Sequence, residues 1–249
     1  KYCIGVNSGL DALILALESL GLEKGSEVLV PANGYIAAIL AIIRVGLKPI
    51  LVEADSITMN MDPKDLQQKI STRAKVILPV HLYGKPCAMD EIMSLAEKNK
   101  LTVLEDASQA HGAVYKGKQV GSFGKIGAFS CYPTKNLGAL GDAGIITTNC
   151  ETTNKDLRCL RHYGESKKNY NIRVGSNSRL DEMQAAMLSV KLRHLSAITL
   201  HKQNLAKVYH NELNANKFQL PAVEDGVKDV YHIFAIRHER RDDLRSYLM

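Results

Sequence analysis

Three short stretches of this chain carry side chains whose types and positions could do chemistry. The first is Asn7-Ser8-Gly9-Leu10-Asp11, which follows an apolar segment and opens a helical pattern. Ser8 with Asp11 resembles a capping box, and Gly9 has no side chain to keep an anion away from the backbone N–H groups. The start of such a helix is suited to a phosphate group. Taken alone, the stretch fits an ordinary helix cap better than a binding site.

The second stretch is the end of an apolar segment that reads as a strand, Val103 to Asp106. Side chains alternate along a strand, so Glu105 and Asp106 are predicted to point to opposite faces of the sheet. An acid at the carboxyl end of a central strand lies in the ligand crevice of an α/β protein. There Asp106 could pair with the nitrogen of a pyridine ring and keep it protonated. On this motif alone, a helix-capping aspartate is the alternative.

The third stretch places Lys135 after an apolar strand and Pro133, and before a glycine-rich loop at 138–144. A lysine that forms a Schiff base must be partly neutral, and desolvation or nearby cations lower its pKa in that direction. Ser130 lies five residues earlier and offers a hydroxyl to a phosphate. A phosphate-binding helix start, an acid after a strand and a serine followed by a lysine, in this order, describe the large domain of an enzyme that uses pyridoxal phosphate.

The elements that must position these residues can be predicted from the pattern of apolar positions. Strands are predicted at residues 27–30, 49–52, 75–79 and 102–104, and helices at 8–20, 35–45, 63–70 and 90–98. The alternation predicts an α/β fold, in which a mainly parallel sheet carries helices on both faces.

From residue 126 the pattern changes. Strands at 128–132 and 144–148 are followed by two predicted long helices, 178–194 and 198–214, and by a strand at 230–237. We therefore expect a cofactor-binding large domain at 1–195, then a linking helix and the beginning of a smaller C-terminal domain at 196–249. The chain begins in a strand pattern at 1–6 and ends in the first turns of a helix at 240–249, so we interpret it as a fragment.

The sequence resembles the sugar aminotransferases of the DegT/DnrJ/EryC1/StrS family. The matching stretches cover nearly the whole chain in the expected order: residues 7–13, VPANGYIAA (30–38), LPVHLYG (78–84), LEDASQAHGA (104–113), AFSCYPTKNLGALGDAG (128–144) and GSNSRLDEMQAAML (175–188). The resemblance implies a type-I aminotransferase-like fold with pyridoxal phosphate as cofactor. It also implies amino transfer from glutamate to a nucleotide-linked keto-sugar, for deoxyamino sugars such as those of cell-surface polysaccharides.

The resemblance assigns roles to the residues around the cofactor ring. Lys135 forms the Schiff base and shuttles protons, Asp106 pairs with the pyridine nitrogen, Gln109 hydrogen-bonds the phenolic oxygen, and Tyr35 stacks on the ring.

Other residues are implied to hold the phosphate. These are the helix start at Ser8, Gly9 and Leu10 and the hydroxyl of Ser130, joined by Asn177 from a neighbouring subunit. The resemblance therefore implies a homodimer with shared active sites.

At a finer level the sequence resembles the 3-aminotransferases of the family, which implies a dTDP-linked 3-keto-6-deoxyhexose as substrate. Leu10 stands where many relatives have Thr, a departure that recurs in this subgroup, whereas Thr134, where the subgroup often has Gly, weakens the match. Gly34 also stands at a position where many relatives have Thr. A 4-keto-sugar is the alternative substrate. The rival functions are a pyridoxal-phosphate-binding regulator without turnover and a sugar dehydratase, although relatives that dehydrate carry His in place of the lysine.

Composition narrows the class of protein. Apolar residues make up 45% and charged residues 23% of the 249 positions, which is ordinary for a globular domain. The net charge is +6, but the basic residues are spread out without interleaved aromatic residues, so we expect no nucleic-acid partner. No apolar run reaches the length of a membrane span, so we expect no membrane association. The five cysteines show no metal-binding spacing and predict reduced thiols in the cytoplasm, without a metal.

Overall fold

A seven-stranded sheet forms the centre of the computed structural model, which describes all 249 residues. The strands of the chain are β1 (Tyr2–Val6), β2 (Glu27–Pro31), β3 (Lys48–Val52), β4 (Ala74–Ile77), β5 (Thr102–Asp106), β6 (Val114–Tyr115), β7 (Lys118–Gln119), β8 (Ile126–Ser130), β9 (Gly144–Thr148), β10 (Glu165–Lys167), β11 (Tyr170–Asn171) and β12 (Val227–Lys228). The central sheet has the order β1-β9-β8-β5-β4-β2-β3. Its neighbours from β8 to β3 are parallel, and β9 runs antiparallel to both β8 and β1. The short strands form two small sheets at the periphery.

Helices cover both faces of this sheet. They are α1 (Gly9–Glu18), α2 (Ala37–Arg44), α3 (Pro63–Lys69), α4 (Met89–Lys98), α5 (Glu151–Leu160), α6 (Glu182–Glu212) and α7 (Arg241–Leu248). One apolar cluster joins the sheet to α1, α2 and α5 through residues such as Leu13 and Ile42, and a second joins it to α3 and α4 through Leu66 and Ile92. The predicted α/β fold, with a mainly parallel sheet between two layers of helices, is confirmed. No helix combines the length and the apolar character that a membrane crossing requires.

The start of α1 differs in one detail from the expected capping box. Ser8 caps the helix, and its Oγ accepts the N–H of Asp11 at 3.1 Å. The carboxylate of Asp11 does not return to Ser8 but accepts the hydroxyl of Ser178 at 2.8 Å, and Ser178 in turn accepts the N–H of Asn7. The box is therefore half formed, because the shorter Asp side chain takes a partner from outside the helix.

The prediction of two separate long helices at 178–194 and 198–214 is wrong. The structure has one helix, α6, of 31 residues. Leu195-Ser196-Ala197 contains neither Gly nor Pro, so nothing interrupts the backbone hydrogen bonds there. The predicted start at Ser178 is also too early, since this buried residue is held by Asp11 and by the carbonyl of Arg161. The domain boundary proposed at residue 195 falls inside α6 and stays a prediction.

The strand predicted at 230–237 is also wrong. Only Arg237 pairs, in an isolated bridge with Gln219, and Tyr231 has a φ of +44°, which breaks an extended conformation. The N–H groups of Val230 and Ile233 donate instead to the carbonyls of Gly84 and Tyr83. The apolar residues of this segment pack against a turn rather than extending a sheet.

Candidate active site

The predicted site residues converge because their strands end at the same edge of the sheet. Asp106 ends β5 and Ser130 ends the parallel neighbour β8. The strand β9 lies between β8 and β1. Its residue Gly144 pairs with Ser130 on one side and with Val6, the last residue of β1, on the other. The chain then turns from β1 into α1, so Gly9 reaches the end of β8. Strand register alone thus brings together residues from the beginning and the middle of the sequence.

Gly9 and Ser130 form a tight cradle at this edge. A Cβ added to Gly9 would lie 2.5 Å from Cβ of Ser130 and 2.9 Å from its Cα, so only glycine permits this approach. Gly9 and Leu10 are the first two residues of α1, and their N–H groups have no acceptor within the helix. Two free donors, the positive end of a helix and the hydroxyl of Ser130 make a site suited to a phosphate.

Asp106 is buried beside this cradle. Its Oδ1 accepts the N–H of Ser108 at 3.0 Å, and Ser108 is the one residue that hydrogen-bonds the carboxylate. Burial raises the pKa of Asp106 above its usual value, against the opposing effects of Ser108 and of the ammonium group of Lys135. A buried carboxylate with so few partners is stabilised by a further cation, and a protonated ring nitrogen supplies one. The Ser108 hydroxyl accepts the N–H of Ser130 at 3.1 Å and so joins the two parts of the site.

Lys135 lies half-buried in the loop after β8. Burial lowers the pKa of its amino group, and the negative charge of Asp106 opposes this shift. The neutral amine needed for attack on a carbonyl is therefore more accessible here than on a solvated lysine.

Gln109 is oriented by an unusual turn. Its Oε1 accepts the backbone N–H of Tyr83 at 2.6 Å, and Tyr83 has a φ of +61° within the short helical turn Leu82–Gly84. Since the carbonyl oxygen of the amide is engaged, its NH₂ group remains to donate to an acceptor in the site. A phenolic oxygen is such an acceptor.

Two predicted site residues stand apart from this cluster within one chain. Tyr35, just before α2, is 72% exposed. Asn177 is exposed as well, and its backbone forms an isolated bridge with His162. Close packing, hydrogen bonds through Ser108 and charge effects link Gly9, Ser130, Asp106 and Lys135. Ser8 and Leu10 flank Gly9 at the start of α1, and Gln109 follows Asp106 by three residues. No hydrogen bond ties the side chain of Tyr35 or Asn177 to these residues.

Both ring nitrogens of His81 have hydrogen-bond partners within the protein. His81 is fully buried, with Nε2 at 3.1 Å from Glu105 and Nδ1 accepting the N–H of Cys87 at 3.0 Å. Glu105 also accepts the N–H groups of Gly121 and Gly124. Although burial alone would raise the pKa of Glu105, the hydrogen bonds from His81 and these N–H groups hold it below its usual value. His81 is structural, and Glu105 and Asp106 have separate partners, as their alternation along β5 predicts.

Two histidines beside Lys135 were not predicted as site residues. Burial, followed by the charge of Lys135, lowers the pKa of His111 to about 3 and that of His232 to about 4. His111 lies inside the LEDASQAHGA motif, directly before Gly112. His232 belongs to the segment predicted as a strand, and no local pattern links it to the lysine.

The chain matches known proteins over nearly its whole length. The model of the DegT/DnrJ/EryC1/StrS aminotransferase family matches residues 1–249. The chain is 48% identical over 248 residues to dTDP-3-amino-3,6-dideoxy-alpha-D-galactopyranose transaminase of Aneurinibacillus thermoaerophilus, covering 100% of this chain and 68% of that protein. It is 44% identical over 248 residues to dTDP-3-amino-3,4,6-trideoxy-alpha-D-glucose transaminase of Streptomyces venezuelae, covering 99% of this chain and 65% of that protein.

Solved structures give the same result. The crystal structure of S. venezuelae DesV in complex with a ketimine intermediate superposes with a TM-score of 0.97 at 43% identity, covering 100% of this chain and 67% of that one. NtdA from Bacillus subtilis, solved with bound cofactor PMP, superposes with a TM-score of 0.91 at 34% identity, covering 98% of this chain and 57% of that one. The fold is therefore that of these aminotransferases, and the chain spans about two thirds of the length of the relatives it matches.

Proposed function

The chain belongs to the DegT/DnrJ/EryC1/StrS aminotransferase family, and we propose that the protein of which it is part transfers an amino group to a keto group on a nucleotide-linked sugar, with pyridoxal phosphate as cofactor. The observation that carries this proposal is the joint placement of Lys135, Asp106 and the cradle of Gly9 and Ser130 at one edge of the sheet.

The residues at this edge fit the cofactor group by group. The N–H groups of Gly9 and Leu10 and the hydroxyl of Ser130 bind the phosphate, and Ser8 holds the helix start in place. Asp106 pairs with the ring nitrogen, and the amide NH₂ of Gln109 donates to the phenolic oxygen. When bound, pyridoxal phosphate supplies an aldehyde that a lysine amine can hold and a ring that withdraws electrons from the substrate carbon.

Lys135 is the proton carrier. Burial lowers the pKa of its amino group, so the neutral form of Nζ is easier to reach here than on a solvated lysine. With the cofactor bound, that atom would take the proton from the donor carbon that bears the amino group and deliver it to the carbon on the other side of the same nitrogen. Glutamate is the proposed donor, on the strength of the family resemblance.

We assign the sugar from the relatives. The two similar transaminases act, by their names, on dTDP-linked sugars that carry a 3-amino group. The substrate proposed here is accordingly a dTDP-linked 3-keto-6-deoxyhexose aminated at C3, which agrees with Leu10 at the first turn of α1.

A second subunit completes the proposed site. The exposed Asn177 reaches the phosphate of a neighbouring chain, and Tyr35 stacks on the ring. Apolar side chains are exposed one helical turn apart on α6, at Met183, Met187 and Val190, which supports a protein partner along this helix. The five free cysteines fit a reducing compartment, and we place the protein in the cytoplasm.

The test incubates the full-length protein with glutamate and one dTDP-linked keto sugar. One reaction contains the 3-keto isomer and the other contains the 4-keto isomer. We expect a new C–N bond at C3, located by NMR. Amination at C4 alone would refute the sugar assignment and leave the amino transfer intact. Cofactor binding without conversion of glutamate would identify a regulator, and loss of a hydroxyl from the sugar would identify a dehydratase.

A further inference from the structure

A left-handed turn faces Gln109 at the edge of the sheet. Within Leu82–Gly84, Tyr83 has a φ of +61° and Gly84 a φ of +103°. A residue with a side chain rarely adopts the conformation of Tyr83, because its Cβ then crowds the following carbonyl. Such a residue persists only where its surroundings over-determine the backbone, and residues of this kind cluster at functional sites.

Asn60 holds this turn from the loop between β3 and α3. Its side chain is buried, and its Oδ1 accepts the N–H of Leu82 at 3.0 Å. Its Nδ2 donates to the carbonyls of Lys85 and Pro86, both at 3.0 Å. The three bonds therefore grip the chain on either side of Tyr83, and the loss of this one side chain removes all of them.

The loop that carries Asn60 is tied to the loop that carries Tyr35. The carbonyl of Met59, the residue before Asn60, accepts Nδ2 of Asn33 at 2.8 Å. Asn33 lies two residues before Tyr35, which is proposed to stack on the cofactor ring. Asn60 thus lies between two parts of the chain that carry proposed contacts to that ring.

The other side of the turn reaches Gln109. The N–H of Tyr83 donates to Oε1 of Gln109 at 2.6 Å, and it belongs to the residue directly after Leu82, which Asn60 holds. With Oε1 engaged, the NH₂ group is the part of the Gln109 amide that can donate to an acceptor in the site. The orientation of this amide therefore depends on the position of the turn.

We propose that Asn60 is a positioning residue for the cofactor ring. It fixes the turn at Tyr83, and the turn holds the amide of Gln109 with its NH₂ group towards the phenolic oxygen. Asn60 touches neither the cofactor nor the substrate and acts only through Gln109. Its effect on the cofactor rests on the proposed function, whereas its effect on the turn does not.

A pH titration of the cofactor absorbance separates positioning from folding. A donor to the phenolic oxygen favours its anionic form, so the loss of the donor raises the pH midpoint of the absorbance change. In the full-length protein loaded with pyridoxal phosphate, Gln109→Met should raise this midpoint by about half a unit or more. Asn60→Ala should raise it by a smaller amount. In the Gln109→Met background, Asn60→Ala should add nothing, because its effect passes through Gln109.

Asn154→Ala is the matched control. Asn154 is another buried asparagine, and its Oδ1 accepts Nε of Arg158 within α5 at 3.0 Å. This variant should leave the midpoint unchanged even if its melting temperature falls. Equal midpoints for wild type, Asn60→Ala and Asn154→Ala would overturn the proposal. A shift from Asn60→Ala that is equally large with and without Gln109 would overturn it as well.

Amide hydrogen exchange in the full-length apoprotein tests the turn without the cofactor and without the alanine variant. Gln109→Met removes the acceptor of the Tyr83 N–H, so exchange of that amide should rise by about tenfold or more. The amide of Leu82, which Asn60 holds, should keep its wild-type exchange rate. Unchanged exchange at Tyr83, or an equal rise at Leu82, would overturn the proposal.

The results for Asn60 and for the proposed function can be told apart. If the wild type binds pyridoxal phosphate and converts glutamate while Asn60→Ala leaves the midpoint unchanged, the role of Asn60 fails and the proposed function stands. If the midpoints shift as expected but glutamate is never converted, the role of Asn60 stands and the amino transfer fails.

Discussion

Asp106 illustrates how a buried side chain can be unfavourable for stability and still be placed for function. Its carboxylate is buried with hydrogen bonds from Ser108 alone, and burial raises its pKa. A group whose folded pKa lies above its unfolded value destabilises the fold once the pH exceeds the unfolded pKa, because the charged form is disfavoured in the native state. A bound pyridinium reverses this, since it pairs with the charged form.

Asp106→Asn should therefore separate stability from catalysis. The change is nearly isosteric and removes the buried charge, so the melting temperature of the apoprotein at neutral pH should stay equal or rise. Turnover should fall by about a hundredfold or more, because the ring nitrogen loses its counter-charge. Thermal unfolding and steady-state kinetics measure the two effects. A variant with near-normal turnover would show that Asp106 only caps the turn at Ser108.

At the scale of elements, the beginning of α1 and the end of β8 act as one unit. Their approach depends on the missing side chain at Gly9, because a Cβ there would overlap Ser130. Gly9→Ala must push the helix start away from the strand and widen the phosphate cradle. We expect the affinity for pyridoxal phosphate to fall by about tenfold or more, roughly 1.4 kcal/mol, measured by titration of the apoprotein.

Gly34→Ala is the matched control for this change. An added Cβ at Gly34 lies 3.6 Å from its nearest neighbour, Pro31, which is an ordinary contact. This variant should bind the cofactor as wild type does. If Gly9→Ala also binds normally, the phosphate lies elsewhere and the cradle is only a packing contact.

The sequence predicted the elements that carry strong local signals. The buried strands β2 to β5 have continuous apolar runs, as parallel strands between helices do, and their predicted positions agree with the structure to within about two residues. Asp62 caps α3 through its side chain and Pro63 opens the helix, which is a local pattern of the sequence. These features depend on residues that are neighbours in the sequence, so the sequence alone is enough to predict them.

The errors have two origins. The helix α6 stays continuous because no Gly or Pro interrupts it at 195–197, whereas the irregular path of residues 230–237 is decided by contacts with distant parts of the chain. The backbone of Val230 bonds the turn at Gly84 and the side chain of Asn136, and no periodicity in the segment could reveal either partner. His232 was missed as a neighbour of Lys135 for the same reason, whereas Lys135, Asp106 and Gln109 lie in motifs that can be read locally.

At the scale of the whole molecule, the account requires a site shared between two chains. Asn177, the residue proposed to act across the interface, is exposed in one subunit. A two-fold dimer can bring such a residue to a neighbouring cofactor. The shared site predicts that two variants, each inactive alone, regain activity when their subunits are mixed.

The test mixes a Lys135→Arg variant with an Asn177→Ala variant, after each alone is shown to be strongly impaired. A mixed dimer contains one site with both native residues, so activity should return to about a quarter of the wild-type level after full subunit exchange. A mixture of two different Lys135 variants serves as the control and should stay inactive. No recovery in the first mixture, with exchange demonstrated, would show that Asn177 does not act across the subunit interface.

The central claim is that Lys135 holds the cofactor, and reductive labelling tests it most directly. The full-length protein is incubated with pyridoxal phosphate, reduced with borohydride and digested, and the modified peptide is sequenced by mass spectrometry. Lys135→Arg is the control, because a guanidinium stays protonated and cannot take the label. We expect a single phosphopyridoxyl group on Lys135 in the wild type and none in the variant. A stoichiometric label on any other lysine, or unchanged labelling of Lys135→Arg, would contradict it.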